Sequence, residues 1–82
     1  MWYVYILKSK ADATITYIGI TQNIEKRLEE HNAGTQYHTK RYLPWTVETY
    51  IAFSDKDKAF SFEKYLKVGS GKAFLNKRFI TR

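Results

Sequence analysis

The chain has 82 residues, enough for one domain with a modest core, and its 44% apolar and 17% aromatic content is typical of a folded globular protein. No apolar run approaches the ~18 residues of a membrane span, and the lack of cysteine excludes disulfides and thiolate metal sites and fits a cytoplasmic protein. The net charge of +6 favours a polyanionic partner, either DNA or RNA.

Two β-strands are predicted at the start of the chain. Residues 2–7 are mostly aromatic or β-branched on both faces, and residues 15–20 resume this pattern after a polar segment, so we expect an antiparallel hairpin. Because side chains alternate along a strand, Tyr17 and Gly19 share a face of the second strand. Gly19 is expected to end or kink that strand.

A helix follows the hairpin. Asn23 is a suitable N-cap, and Gly34 is a common stop signal. Arg27 and His31 are four residues apart and therefore share a helix face, at the border between core and solvent. Together with Tyr17 they can face one small volume. The expected apolar anchors are Ile24, Leu28 and Ala33.

A polar loop and a third strand come next. Residues 35–41 form the loop, in which Lys40 and Arg41 are candidate donors to phosphate. Pro44 cannot donate a hydrogen bond within a sheet, so the strand is predicted to begin just after it and to run to about Phe53.

The second helix carries a carboxylate on its apolar face. Ser54 is the predicted cap, the helix runs to about Val68, and Glu63 lies in the same stripe as Phe62 and Leu66. An unpaired buried carboxylate is costly, so Glu63 should meet a cation, a metal ion or several donors. The alternatives are that Glu63 reaches water at the edge of the stripe or pairs with an arginine.

The last helix is predicted for residues 72–80, after a break at Gly69–Gly71, with Phe74, Leu75 and Phe79 facing inward. Residues 1–82 are therefore expected to form a single α/β (α+β) domain of order β-β-α-β-α-α. A small, mainly antiparallel three-stranded sheet carries flanking helices.

These residues resemble the GIY-YIG nuclease domain, as in small stand-alone bacterial proteins and at the N-terminus of the excision-repair incision subunit. The first motif matches Tyr3-Val4-Tyr5 only at its last tyrosine, and the second, Tyr17-Ile18-Gly19, is complete. The family's arginine, histidine and metal-binding glutamate match Arg27, His31 and Glu63. Its terminal asparagine matches Asn76 with a shifted spacing.

The resemblance implies a Mg²⁺-dependent (or Mn²⁺-dependent) DNA endonuclease, acting in repair or recombination, with one divalent ion held by Glu63. Arg27 would clamp the phosphate. Tyr5 or Tyr17 would accept a proton from water, with a pKa lowered by nearby cations. His31 is an alternative base or an aid to the tyrosine, and we favour Tyr17 over His31 for contact with the water.

A nucleic-acid-binding module without turnover is the main alternative, and a protein-interaction domain with a vestigial site is another. In either nucleic-acid role, phosphates would be contacted by Lys40, Arg41, Lys72, Asn76, Lys77 and Arg78. Family members that cut specific sequences usually carry a second DNA-binding domain, for which this chain has no room. We therefore expect recognition directed by DNA structure or by a partner protein.

Overall fold

The structure, a computed structural model, describes residues 1–78, so the predicted helical positions 79 and 80 lie outside the described residues. The order β-β-α-β-α-α is confirmed. The elements are β1 (Trp2–Ser9), β2 (Thr16–Thr21), α1 (Ile24–Asn32), a short 3-10 helix (Lys40–Tyr42), β3 (Trp45–Phe53), α2 (Lys56–Leu66) and α3 (Gly69–Arg78). None of the helices within residues 1–78 is long and apolar enough to cross a membrane.

The three strands form one antiparallel sheet of order β2-β1-β3, as predicted for the fold class. The central strand β1 is buried on both faces, because its side chains alternate between two helical layers. Val4 and Ile6 pack against α2 and α3. Tyr5 and Leu7 lie on the opposite face, where Leu28 of α1 joins the core.

Helix ends follow the local chemistry of the chain. The Asn23 side chain accepts a hydrogen bond from the backbone of Lys26, which confirms the predicted cap of α1. Gly34 follows that helix with φ of +75°, a conformation that glycine adopts without steric cost. The prediction of Ser54 as the cap of α2 is wrong, because the side chain of Asp55 accepts the hydrogen bond from Asp57 N.

Three further predictions are corrected by the structure. Helix α2 ends at Leu66, and α3 already begins at Gly69, because the φ of +52° at this glycine turns the chain directly into the next helix. Phe74 is exposed on α3, whereas Leu75 is buried against α2, since the narrow apolar face of α3 admits only one of these two neighbours. Ala33 is exposed because it lies beyond the last turn of α1.

Candidate active site

The position of Tyr5 depends on the absence of a side chain at Gly19. The two residues pair directly across the antiparallel β1–β2 ladder. A Cβ atom on Gly19 would overlap the hydroxyl end of the Tyr5 ring. The glycine of the second motif therefore provides the space in which the tyrosine of the first motif lies, which is a close approach that only glycine allows.

The Tyr5 hydroxyl links strand β1 to helix α1. Its oxygen lies 3.4 Å from Arg27 Nε and 3.1 Å from His31 Nε2, both on α1. An arginine nitrogen can only donate, so Arg27 donates to the phenolic oxygen and the hydroxyl hydrogen of Tyr5 has His31 Nε2 as its acceptor. We assign the neutral tautomer of His31 that leaves Nε2 unprotonated on this basis.

His31 is completely buried, with 0% of its surface exposed, so its predicted place at the border between core and solvent is wrong. The reason is its spacing, because Ile24, Leu28 and His31 follow the i, i+4, i+7 pattern of one helix face. Its second ring nitrogen, Nδ1, lies 2.8 Å from Thr39 Oγ1, in the segment before the 3-10 helix. Both ring nitrogens therefore have partners.

Arg27 is held at the edge of the site rather than inside it. Its Nη1 donates to Glu30 Oε1 at 3.0 Å, and its Nη2 donates to Gln36 Oε1 at 3.4 Å. About 30% of its side chain is exposed. Arg27 also lines an open cavity of about 420 Å³ beside Trp2 and Lys26, so its guanidinium is accessible to a phosphate.

The environment shifts the pKa values of the two buried groups in opposite directions. Burial raises the pKa of Tyr5 above 10.0, although the hydrogen bond and positive charge of Arg27 oppose the rise. Burial, with a smaller contribution from Arg27, lowers the pKa of His31 below 6.5. The protein therefore does not lower the pKa of Tyr5 as expected; it keeps Tyr5 protonated and His31 neutral at neutral pH.

We expect the free energy of unfolding to decrease as the pH falls below the ordinary histidine pKa of about 6.5. In that range the unfolded chain takes up a proton on His31 that the folded protein does not, so stability increases with pH until the group is neutral in both states. The decrease ends once the pH is below the lowered pKa of the folded protein. Urea denaturation at a series of pH values measures this dependence.

A matched comparison separates His31 from the other histidine. His31→Gln is expected to reduce the dependence of stability on pH in this range, whereas His38→Gln, at an exposed position, should retain it. Equal pH dependence in the wild-type protein and His31→Gln would contradict the assignment.

Tyr17 lies on the open side of the same group of rings. Its ring centre is 5.1 Å from that of His31 and 6.4 Å from that of Tyr5, and the residue is half-buried. It also lines a cavity of about 280 Å³ together with three polar side chains of the opposite helical layer, Lys67, Lys72 and Asn76. Tyr17 thus borders both the buried group and this cavity, which we call the basic groove.

Among the described residues 1–78, Glu63 has a lysine as its charged partner and is not paired with an arginine. Its Oε2 forms an ion pair of 2.6 Å with Lys67 Nζ, one turn further along α2, and its side chain is 17% exposed. It lines an open cavity of about 680 Å³ that also contains Asp57. Its negative charge contributes to the raised pKa of Tyr5, so the carboxylate and the phenol interact electrostatically.

The donor set fits one hard divalent ion rather than a closed metal site. Within residues 1–78 no cluster of three or more His, Asp or Glu side chains is arranged to hold a metal ion. Mg²⁺ commonly uses one or two carboxylates and fills its remaining positions with water and substrate phosphate oxygens. The partly exposed carboxylate of Glu63 matches this type of site, provided that Lys67 moves from its ion pair.

The predicted nucleic-acid contacts fall into two surface groups. Lys72 and Asn76 line the groove beside Tyr17, while Lys77 and Arg78 are exposed at the end of the same helix. Lys40 and Arg41 are exposed on the 3-10 helix, which follows the loop whose Gln36 contacts Arg27. There, Lys40 Nζ lies 5.1 Å from the ring centre of Tyr37, and the guanidinium of Arg41 lies 5.8 Å from that of Tyr42.

Three polar contacts of the site were missed from the sequence. Gln36 and Thr39 belong to a loop, whose path no periodic pattern predicts, although it reaches back to Arg27 and His31. Lys67 could have been identified, because a glutamate followed four residues later by a lysine is a known stabilising pair on a helix.

Comparison with known proteins supports the resemblance to the GIY-YIG domain. A UPF0213 protein of Streptococcus pyogenes serotype M5 (strain Manfredo) is 41% identical over 66 residues, covering 79% of this chain and 70% of the relative. A UPF0213 protein of Clostridium perfringens (strain 13 / Type A) is 40% identical over 68 residues, covering 82% of this chain and 71% of the relative. These names state no activity.

The fold has a counterpart among solved structures. The solution NMR structure of a UPF0213 protein from Bacillus halodurans is similar to this one with a TM-score of 0.56 and 26% sequence identity, covering 96% of this chain and 87% of that chain. The GIY-YIG catalytic domain profile matches residues 1–78. The resemblance inferred from the two motifs is thus confirmed, and the chain belongs to the GIY-YIG catalytic domain family, whose members are typically nucleases.

Proposed function

We propose that this protein is a metal-dependent endonuclease that hydrolyses phosphodiester bonds in DNA. The observation that carries the proposal is the Tyr5 hydroxyl, held between the donor Arg27 and the neutral, buried His31. This hydroxyl has a donor to its oxygen, Arg27, and an acceptor for its hydrogen, His31, an arrangement that suits a group that relays a proton. The electrostatic influence of Glu63 on the same hydroxyl adds a carboxylate to the group.

Phosphate binding would be shared by the two sides of the site. Arg27 presents a planar fork that matches two phosphate oxygens, and it can exchange its partly exposed bond to Glu30 for such a contact. Lys67 and Lys72 line the groove beside Tyr17, where they can neutralise the adjoining backbone. The net charge of +6 attracts the polyanion from a distance.

The nucleophile would be a water molecule that loses a proton to the phenolic oxygen of Tyr5. Since burial keeps Tyr5 protonated, it can accept that proton only while its own proton passes to Nε2 of His31. The water oxygen then attacks phosphorus, the bond from phosphorus to the leaving oxygen breaks, and His31 becomes an imidazolium. This geometry supports Tyr5 over Tyr17 for the proton transfer, and Tyr17, which lines the groove, would contact the substrate there.

Glu63 would hold one Mg²⁺ or Mn²⁺ ion. When bound, such an ion neutralises charge on the scissile phosphate and on the leaving oxygen. Lys67 must release Glu63 for this purpose, and an exposed lysine can then pair with phosphate instead.

The ion pair between Lys67 and Glu63 also favours a second candidate function. A carboxylate that stays neutralised by lysine holds no metal ion, and the protein would then be a nucleic-acid-binding module that keeps the nuclease fold without turnover. Lys40 and Arg41 would contact phosphates in either case. A role in repair or recombination, and a partner protein that supplies specificity, belong to the endonuclease proposal.

Nicking of supercoiled plasmid DNA tests these alternatives. We expect the purified protein to convert supercoiled DNA to the open circular form in the presence of Mg²⁺ or Mn²⁺ and to stop when the ion is chelated. A variant with both Arg27→Ala and Glu63→Ala, purified in the same way, controls for contaminating nucleases. Salt-sensitive binding of DNA by the wild-type protein, with no cleavage under any metal, would instead support the binding module.

A further inference from the structure

We propose that Thr39 is a positioning residue of this site, whose hydroxyl holds His31 in the tautomer that carries its proton on Nδ1. This inference rests on the proposed function, in which Nε2 must be free to take the proton of Tyr5. Thr39 lies eight residues after His31, outside α1, and it belongs to none of the motifs. Its side chain contacts the base and not the reacting atoms.

The direction of the hydrogen bonds is fixed first at Tyr5. Within residues 1–78 its hydroxyl has two partners, Arg27 Nε at 3.4 Å and His31 Nε2 at 3.1 Å. Arg27 cannot accept a hydrogen bond, so His31 Nε2 is the acceptor that residues 1–78 offer to the hydroxyl hydrogen of Tyr5. The hydrogen of Tyr5 therefore requires an unprotonated Nε2, and a neutral His31 then carries its own hydrogen on Nδ1.

The contacts at the other end of the imidazole are compatible with the same direction. Thr39 Oγ1 lies 2.8 Å from Nδ1 and 3.5 Å from the backbone oxygen of Gln36. A carbonyl oxygen only accepts, so the Thr39 hydroxyl can point its hydrogen towards Gln36 while one of its lone pairs receives the Nδ1 proton. Thr39 is 1% exposed, which leaves its hydroxyl no bulk water as an alternative partner.

The backbone around Thr39 holds the hydroxyl in this position. The carbonyl oxygen of Thr39 accepts from the indole Nε1 of Trp45 at 2.9 Å and from the backbone of Tyr42 at 3.2 Å. Trp45 is itself buried in the core on this face of the sheet. The Thr39 hydroxyl, which accepts from Nδ1, is thus held in place by hydrogen bonds of its backbone to Trp45 and Tyr42.

The second tautomer would disable the proposed proton path. A neutral histidine free in water favours the proton on Nε2, and in that form Nε2 would donate to the phenolic oxygen of Tyr5. The hydroxyl hydrogen of Tyr5 would then lack an acceptor among the residues described, and His31 could take no proton from it. The contact with Thr39 reverses the intrinsic preference, because it supplies an acceptor at Nδ1.

The tautomer can be measured in the free protein, without nucleic acid or metal. The chain has two histidines, so a His38→Gln background leaves His31 as the only one. A long-range proton–nitrogen correlation spectrum of the untagged protein, recorded well above the ordinary histidine pKa of about 6.5, shows which ring nitrogen is protonated. Thr39→Val removes the hydroxyl at nearly constant volume, and Thr39→Ser keeps it.

We expect a proton on Nδ1 in the parent protein and in Thr39→Ser, and a shift towards Nε2 in Thr39→Val. Thr39→Val should also lower kcat for nicking by about 100-fold, the lower range of general acid–base effects, with KM little changed and recovery in Thr39→Ser. If Thr39→Val does not fold, Thr39→Ala makes the same comparison. A parent protein with the proton on Nε2, or an unchanged tautomer without the hydroxyl, would overturn the inference.

Failure of the proposed function gives a different pattern of results. If the parent protein cuts no DNA but the tautomer still depends on the Thr39 hydroxyl, the positioning of His31 stands and the nuclease proposal fails. If the protein cuts DNA and its tautomer does not respond to Thr39, the nuclease proposal stands and the role of Thr39 fails.

Discussion

Glu63→Gln is expected to reduce the rate of DNA nicking by at least about 1,000-fold at saturating Mg²⁺. The carboxylate is the candidate ligand for the ion, whose stabilisation of transition-state charge amounts to several kcal/mol, and each 1.36 kcal/mol corresponds to about tenfold in rate. Folding should be little affected, because the lost partner Lys67 is 46% exposed and such surface pairs contribute about 0–1 kcal/mol. Single-turnover nicking and thermal unfolding measure the two effects.

The control for Glu63→Gln must remove a negative charge elsewhere. Glu48→Gln, at an exposed position of β3, changes the net charge by the same amount and is expected to leave the rate unchanged. Wild-type rates in Glu63→Gln would contradict the assignment of the metal-binding side chain. Equal losses in both variants would show that the loss follows from the change in net charge and not from the missing carboxylate of Glu63.

Tyr5→Phe is expected to lower kcat by roughly 10²- to 10⁴-fold, the usual contribution of general acid–base catalysis. Phenylalanine keeps the ring that packs against Gly19 but cannot pass a proton from water to His31. Affinity for DNA should change little, because Arg27 and the groove lysines remain in place. Nicking rates and DNA binding in Ca²⁺ or without metal separate the two quantities.

Two matched variants make the Tyr5 experiment specific. Tyr3→Phe removes a hydroxyl two residues earlier on the same face of β1, where the ring packs against Tyr50, and should keep the wild-type rate. Tyr17→Phe removes the hydroxyl on the open side of the site. If Tyr17→Phe loses more activity than Tyr5→Phe, proton transfer belongs to Tyr17, the other of the two tyrosines that the resemblance to the family left open.

Regular elements could be predicted because their physics is local. Runs of apolar and β-branched residues predicted the strands. Asn23 and Gly34 predicted the two ends of α1, and in the structure Asn23 caps the helix and Gly34 follows it with a positive φ. The predicted cap of α2, Ser54, is one residue away from the observed cap, Asp55, and both side chains are suitable for this position. The last helix begins at Gly69 and not at position 72, because this glycine both ends the preceding turn and starts α3.

The motif residues of the candidate site could be predicted from the sequence, but their burial and their contacts could not. Motif spacing identified Tyr5, Tyr17, Arg27 and His31, and the register of β1 with β2 brings the tyrosines to one face. Burial could not be read from the motif, and it is burial that determines the protonation of Tyr5 and His31. Loop contacts such as those of Thr39 depend on the path of the chain between elements, which composition does not encode.

The space shared by Gly19 and Tyr5 makes two separate motifs mutually dependent. An alanine at position 19 requires a shorter side chain at position 5, and a chain without the tyrosine has no further need for the glycine there. A change at either position therefore alters which side chains the other position can hold. Engineers who transfer this chemistry to another sheet must move both residues as one unit, across directly opposed positions of neighbouring strands.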